Sequence, residues 1–206
     1  MCHHYRLRTD KDRLYEAFSI TRTNPQLPLP LGDFYPLSQV PVVRLVDGTE
    51  REIVPMEWRL LPFWWKPSTR RQARRAFQRK CFNARCETIQ EKPTFREAFK
   101  RRRCLIPATE FMERGHCLYF AKSKPFAFAG LWDRWEGESE TVESCTIVTT
   151  LPNKAVQAVG HHRMPVILYE PMDVEVWLNA EHFGPENLPR LFEPRDTPSL
   201  ECYRAT

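Results

Sequence analysis

The sequence has no apolar stretch long enough to cross a membrane and no secretory leader. None of the hydrophobic runs in its 206 residues approaches the roughly 18–20 residues that span a bilayer. The N-terminal residues are polar and charged, which excludes the apolar segment of a signal peptide. We therefore expect a protein that is neither secreted nor membrane-bound: cytoplasmic in a bacterium, and nuclear or cytoplasmic in a eukaryote.

Paired cysteine motifs are also missing. The seven cysteines are an odd number without a secretory signal, which favours reduced thiols over a disulfide framework. No Cys-x-x-Cys pair is present, so a structural zinc site is not expected, and no cofactor is predicted. Cys104, Cys117 and Cys145 lie in apolar runs that predict burial. Cys2 lies among polar residues, where packing gives no reason for a cysteine.

The positive charge is concentrated in two clusters. A composition that is 42% hydrophobic and 28% charged is that of a globular domain rather than a disordered chain. The net charge is only +5, but Ser68–Lys80 contains six basic residues and no acid, and Lys100–Arg103 is entirely basic. Such clusters favour binding to nucleic-acid phosphates. Alternatively, residues 66–80 form an inserted basic loop that is solvated and binds no nucleic acid.

Local patterns predict short strands mixed with short helices. A helix is predicted over Thr9–Phe18, with Thr9 and Asp12 spaced as a capping box. Residues 24–41 are rich in proline and predict an extended, irregular excursion. Strands are predicted at Val42–Val46, Arg51–Val54, Arg103–Ile106, Cys117–Ala121, Phe126–Leu131, Cys145–Thr150 and Val166–Tyr169. Further helices are predicted at Thr94–Arg101, Asn153–Val159 with Asn153 as its N-cap, Met172–Asn179 and Glu186–Leu191.

The order of these elements indicates the fold class. Strands and helices do not alternate regularly, and the chain contains no internal repeat or low-complexity segment. We expect an α+β fold with a largely antiparallel, barrel-like sheet and short flanking helices. The whole chain, residues 1–206, is predicted to form one domain and to be a monomer.

Six short motifs occur in order along the chain. They are Met1-Cys2, Trp58–Trp64, Asn83–Thr88, Arg103–Ala108 leading to Glu113, Ala129–Trp132 and His161–Pro165. Their order and spacing closely resemble the SRAP family (SOS-response-associated peptidase), and the resemblance runs from residue 2 to about residue 180. Members of that family crosslink themselves to abasic sites. The resemblance therefore implies an SRAP-like domain that binds single-stranded DNA and shields its abasic sites covalently in the DNA damage response.

The chemistry of an N-terminal cysteine fits that implication. Methionine aminopeptidase normally removes Met1 before a small residue, which would leave an α-amine and a thiol on Cys2. An α-amine has a pKa of about 7.7–8.0, so roughly a tenth of it is neutral and nucleophilic at pH 7. The ring-opened abasic sugar is an aldehyde, with which the amine forms an imine. The adjacent thiol then closes a thiazolidine in an intramolecular step, which an internal cysteine cannot do.

The resemblance also implies roles for other residues. Glu113 matches the family's active-site glutamate, with Glu110 as a chemical rival, and His161 matches its catalytic histidine. A histidine side chain titrates near neutral pH, so His161 is suited to transfer protons during sugar ring opening. The DNA-binding residues implied are Asn83, Arg85, His4, Arg163 and Thr149. Trp58, Trp64, Trp65 and Trp132 could stack on bases, although Trp58 and Trp132 are predicted to be core residues.

The sequence departs from the family pattern at three places. The usual Cys-Gly-Arg start is Cys2-His3-His4 here, Arg59 replaces a glycine, and Arg114 stands where a tryptophan usually follows the glutamate. Arg114 removes a stacking surface and adds a cation that can bind phosphate.

Three alternatives remain open at this point. A peptidase could use Cys2 as its nucleophile, and a non-covalent single-strand binding module could use only the basic clusters. A free Cys2 amine followed by two histidines could also hold copper or nickel. The sequence does not indicate whether a replication-fork partner recruits the protein.

Overall fold

Strands account for most of the regular structure in the computed structural model, which describes residues 2–24, 26–67, 73–120, 125–168, 170–196 and 200–204. The strands are β1 (Tyr5–Leu7), β2 (Gly32–Phe34), β3 (Gln39–Val46), β4 (Glu50–Trp58), β5 (Asn83–Arg85), β6 (Arg103–Ala108), β7 (Glu110–Glu113), β8 (His116–Phe120), β9 (Phe126–Glu136), β10 (Thr141–Thr150), β11 (Met164–Pro165), β12 (Ile167–Leu168) and β13 (Leu200–Arg204). The helices are α1 (Lys11–Ala17), α2 (Arg74–Gln78), α3 (Arg96–Arg101), α4 (Lys154–Ala158), α5 (Pro171–Leu178) and α6 (Pro189–Phe192), with a 3-10 turn at Pro185–Asn187. Within these ranges, every helix is too short or too polar to traverse a bilayer.

Five strands close into a barrel. β3 pairs antiparallel with β4 and β6, and β6 pairs antiparallel with β9. β10 completes the circle because it pairs antiparallel with β9 and parallel with β4. The predicted α+β class, with a barrel-like and mainly antiparallel sheet and short flanking helices, is confirmed.

A second sheet carries the start of the chain. Its order is β13-β8-β7-β1-β2, and β1 lies antiparallel to β7 with Tyr5 opposite Phe111. The residues before Tyr5 continue along β7, since the Met112 amide donates to the His4 carbonyl over 3.0 Å. The chain start therefore runs toward Glu113, the last residue of β7, and Cys2 comes close enough for the charge of Glu113 to act on its thiol.

Aromatic side chains join the two sheets in one core. The Tyr5 ring lies 5.3 Å from Trp58 and 5.5 Å from Phe128, both edge-on, a geometry that stabilises aromatic pairs. All three side chains are fully buried. The start of the chain is therefore anchored in the barrel interior.

Two helix predictions need correction. α1 begins at Lys11, and its N-cap is Asp10, whose carboxylate accepts the Arg13 amide over 2.8 Å, so the Thr9 capping box was wrong. The helix predicted over 186–191 is two elements, the 3-10 turn and α6, because Pro189 cannot donate the hydrogen bond that would join them. Asn153 caps α4 as predicted, its amide oxygen accepting from Val156.

The proline-rich segment is not irregular throughout, which overturns that prediction. It contains β2 and the beginning of β3, where Pro41 lies opposite Pro55 of β4. A proline is tolerated in a strand where its nitrogen has no hydrogen bond to donate.

The basic clusters are only partly available to a ligand. Residues 68–72 lie outside the described residues; Arg74 of α2 is paired with Glu57 over 3.0 Å. Arg103 is buried and donates to the carbonyls of Phe99 and Phe183 at 2.9 and 2.8 Å. Arg103 therefore stabilises the fold, and its assignment to a phosphate-binding cluster was wrong.

Candidate active site

Cys2 lies in the protein interior, contrary to its polar sequence context. Its side chain is fully buried within the main hydrophobic core. The Asn83 amide donates to the Cys2 carbonyl over 2.9 Å, which ties the beginning of the chain to β5. Local sequence could not indicate this burial, because it arises from pairing of the chain start with β7.

Glu113 lies at the end of β7, next to Cys2. It is 2% exposed, and the β7–β8 hairpin turns immediately after it. Burial raises the pKa of Glu113 from 4.5 to about 7, because a desolvated carboxylate is costly. Near neutral pH, this carboxyl therefore carries a proton about half of the time.

His161 is positioned by the end of α4. The amides of Gly160 and His161 donate back to the carbonyls of Gln157 and Val156, the Schellman pattern that ends a helix at a glycine of positive φ. This turn places the imidazole over β7. Its Nε2 lies 3.3 Å from Oε2 of Glu113.

The hydrogen bonds of His161 determine where its proton lies. Nδ1 is 2.7 Å from the Arg163 carbonyl and 3.3 Å from the Arg163 amide. A carbonyl can only accept, so at the shorter distance Nδ1 must donate. Burial lowers the pKa of His161, so the imidazole is neutral and Nε2 accepts from the protonated Glu113 carboxyl. When Glu113 is protonated, the contact is a neutral hydrogen bond; its geometry also fits an ion pair.

The Cys2 thiol is protonated in this environment. Burial raises its pKa well above the usual value, and the charge of Glu113 raises it further. A thiolate at Cys2 and a carboxylate at Glu113 therefore disfavour each other. A proton leaving the thiol has the Glu113 carboxylate as a nearby acceptor.

The residues predicted to bind DNA at β5 and β10 lie on one ladder. β5 runs parallel to β10, with Asn83 opposite Ile147 and Arg85 opposite Thr149. Asn83 is buried, and its Oδ1 accepts no hydrogen bond from the described residues. Arg85 is exposed. Thr149 is buried and donates to the Ala84 carbonyl over 3.3 Å, so its hydroxyl is directed into the sheet.

Arg163 is occupied by protein contacts. Its guanidinium bonds Glu87 through two nitrogens, at 2.6 and 3.0 Å, and donates to the Thr149 carbonyl at 2.8 Å. This contact lowers the pKa of Glu87. The geometry favours a positioning role, because Arg163 also supplies the carbonyl that orients His161. Glu87 lies in the Asn83–Thr88 motif, but no role was predicted for it.

His4 and Glu110 lie on the outer side of the second sheet. His4 Nε2 is 2.8 Å from Asp33, and its ring stacks on Tyr35 at 4.4 Å. Glu110 is paired with Arg6 over 3.2 Å. Of the two candidate glutamates, Glu113 is the one that contacts His161.

The tryptophans divide between core and surface. Trp58 is fully buried, as predicted, and Trp65 is 4% exposed, whereas Trp132 is only partly buried beneath Arg44. Trp64 is 37% exposed beside Phe63, which is 52% exposed. Of the four tryptophans, Trp64 has the ring surface most available for stacking.

Metal-ligating residues do not assemble. Across the described part of the chain, no group of three or more histidine, cysteine, aspartate or glutamate side chains is placed to hold an ion. His4, one of the histidines considered as a copper or nickel ligand, is bonded to Asp33.

Comparison with known proteins gives the same family across the chain. The family described as SOS response associated peptidase (SRAP) matches residues 1–206. The abasic site processing protein YoqW of Bacillus subtilis is 33% identical over 221 residues, covering 100% of this chain and 92% of that protein. The abasic site processing protein HMCES of Pongo abelii is 28% identical, covering 78% of this chain and 54% of its own length.

Solved structures share the fold. A Bacteroides thetaiotaomicron protein superposes with a TM-score of 0.82 at 25% identity, covering 98% of this chain and 91% of its own. A Bordetella bronchiseptica protein superposes with a TM-score of 0.79 at 25% identity over the full length of both chains.

Proposed function

Because the chain belongs to the SRAP family, we propose that it captures abasic sites in single-stranded DNA by a covalent bond to Cys2, after removal of Met1. The observation that carries the proposal is the convergence of three groups: Cys2, held at its carbonyl by Asn83, beside the Glu113–His161 pair. Two relatives are named abasic site processing proteins. The proposed role is in the DNA damage response.

In the first chemical step, the free Cys2 amine attacks C1′ of the ring-opened sugar. A carbinolamine forms and loses water to give an imine. Protonated Glu113 supplies the proton for the departing hydroxyl, and neutral His161 accepts the proton of the sugar hydroxyl during ring opening. A pKa of about 7 at Glu113 suits this exchange, since both protonation states are populated near neutrality.

The second step closes the thiazolidine ring. The Cys2 sulfur adds to the imine carbon, the thiol proton is transferred to the nitrogen through Glu113, and no oxidant is needed. Both nucleophiles belong to one residue, so the step is intramolecular. We propose that Asn83 orients Cys2, that Arg85 contacts a flanking phosphate and that His4 lines the DNA path. Arg163, which donates to the buried Thr149, holds His161.

The peptidase alternative is less well supported. A peptidase would need Cys2 as a thiolate nucleophile, but burial and Glu113 both disfavour that form. Thiazolidine formation begins at the amine and needs the sulfur only in its second step. A non-covalent binding module would leave the buried Glu113–His161 pair without a role.

The test is a denaturing gel with an oligonucleotide that carries one abasic site. Protein with Met1 removed, verified by mass spectrometry, should give a slow-migrating band that survives boiling. Cys2→Ala and a form that retains Met1 should give none. A processed protein that forms no band would refute covalent capture.

A further inference from the structure

The hairpin that joins β7 to β8 carries an arginine in an unfavourable place. Arg114 and Gly115 are its two turn residues, since Glu113 pairs with His116. Both have positive φ, 48° and 75°, as a type I′ turn requires. Asparagine and glycine suit the first position of such a turn, whereas arginine has no local advantage there.

The Arg114 side chain lies at the mouth of the candidate active site. The aliphatic part of the Arg114 side chain packs beside Gly160, the residue before His161. A Cβ atom added to Gly160 would lie 3.9 Å from Cδ of Arg114. The His116 ring donates to the Arg114 carbonyl over 3.1 Å, which holds the turn. The positive charge of Arg114 is close enough to lower the pKa of both Glu113 and His161.

The cation is available to a ligand. Arg114 is exposed, and none of the ion pairs among the described residues includes it. Two other arginines are engaged: Arg163 with Glu87, and Arg6 with Asp33. An exposed guanidinium beside a site for a phosphodiester-linked sugar suits a phosphate oxygen.

We infer that Arg114 binds the backbone phosphate next to the reacting sugar and so positions the strand over Cys2. The inference rests on the proposed function, because it takes single-stranded DNA as the ligand. The strained turn between β7 and β8 places the positive charge of Arg114 at the edge of the active site. Residues that favour the turn would lack that charge.

Binding can be measured without the covalent step. The probe is a fluorescent single-stranded oligonucleotide with a tetrahydrofuran abasic analogue, which cannot open to an aldehyde. Arg114→Asn suits the turn, so it should fold at least as well as the native protein. It should bind the probe about three- to ten-fold more weakly near physiological salt.

The salt dependence distinguishes a phosphate contact from a structural effect. Loss of one contact should make the slope of log affinity against log salt less negative by about 0.7 for a single strand. Arg114→Lys should keep most of that slope. Arg22→Asn is the matched control, because the Arg22 side chain is 55% exposed and pairs with Glu50 over 3.9 Å, at the opposite end of β4 from Trp58.

The outcomes separate the two proposals. Equal slopes for the native protein and Arg114→Asn, or an equal loss in Arg22→Asn, would overturn the phosphate contact. If the native protein binds the analogue with the expected slopes but never forms a covalent band with a reactive site, the contact stands and covalent capture fails.

Discussion

Glu113 Oε2 lies 3.3 Å from His161 Nε2, within reach of a proton shared by the two side chains. Burial raises the pKa of the acid and lowers that of the base, so neither group is charged over a narrow range below pH 7. Such a pair can donate and accept a proton with little rearrangement. The arrangement requires a buried carboxyl, and ionisation of that carboxyl is energetically unfavourable.

Glu113→Gln should remove a pH-dependent loss of stability. The pKa of Glu113 is about 7 in the fold against 4.5 for the ordinary group. Between these values the folded state binds more protons than the unfolded state, so the free energy of unfolding falls as pH rises. The fall should be on the order of 3 kcal/mol by pH 8. Urea unfolding near pH 4 and pH 8 measures it.

The control for that experiment is Glu110→Gln. Glu110 lies on the same strand and is paired with Arg6, so its variant should keep the pH dependence of the native protein. Glu113→Gln should also abolish covalent capture while raising stability at pH 8. Parallel pH–stability curves for the native protein and Glu113→Gln would contradict the assignment.

Asn83→Asp should slow covalent capture without unfolding the protein. Aspartate has nearly the same shape, but its ionised carboxylate cannot donate to the Cys2 carbonyl, and that buried acceptor would lose its partner. A lost buried hydrogen bond costs about 1–3 kcal/mol, which corresponds to a rate lower by a factor between roughly five and 150. Single-turnover gels measure the rate, with Asn187→Asp, at an exposed position, as the control. An unchanged rate in Asn83→Asp would show that this bond does not position Cys2.

The Arg163–Glu87 pair should respond asymmetrically to mutation. The Arg163 side chain is 7% exposed and that of Glu87 is 45% exposed. Glu87→Met leaves a buried cation without its acid and should cost about 3 kcal/mol, whereas Arg163→Met leaves a carboxylate that water can solvate and should cost less. Chemical denaturation of both variants tests the order. The reverse order would mean that Arg163 finds another partner.

Gly130→Ala should destabilise the barrel. A Cβ at Gly130 would lie 2.9 Å from both Cys104 Sγ and Ile106 Cδ1, inside the contact between β9 and β6. Such overpacking costs about 1–3 kcal/mol. A thermal melt should show the midpoint several degrees lower. An unchanged midpoint would mean that the two strands separate easily.

The sequence located the long strands, with bounds that were too short, but not the short ones. The apolar patterns predicted Phe126–Leu131 and Cys145–Thr150, whereas β9 extends to Glu136 and β10 begins at Thr141. β5 and β7 are short and polar, and they exist because β10 and β1 provide hydrogen-bond partners. A short strand defined by its neighbours has no local signal.

The site was predicted by residue type but not by arrangement. The motifs pointed to Cys2, Glu113 and His161, yet no spacing indicated that Cys2 is fully buried. Nor did the motifs indicate that Arg163 is held by Glu87. These facts depend on contacts between segments far apart in the chain, such as the 81 residues separating Cys2 from Asn83.

The position of β10 links the site to the unfolding of the whole domain. This strand is shared by β4, β5, β9 and β11, so it cannot detach locally without breaking four ladders. Its amide hydrogens should therefore exchange with solvent only through global opening. Fluctuations that fray β2 or β13, the edge strands of the second sheet, would leave β10 and the β5 residues paired with it in place.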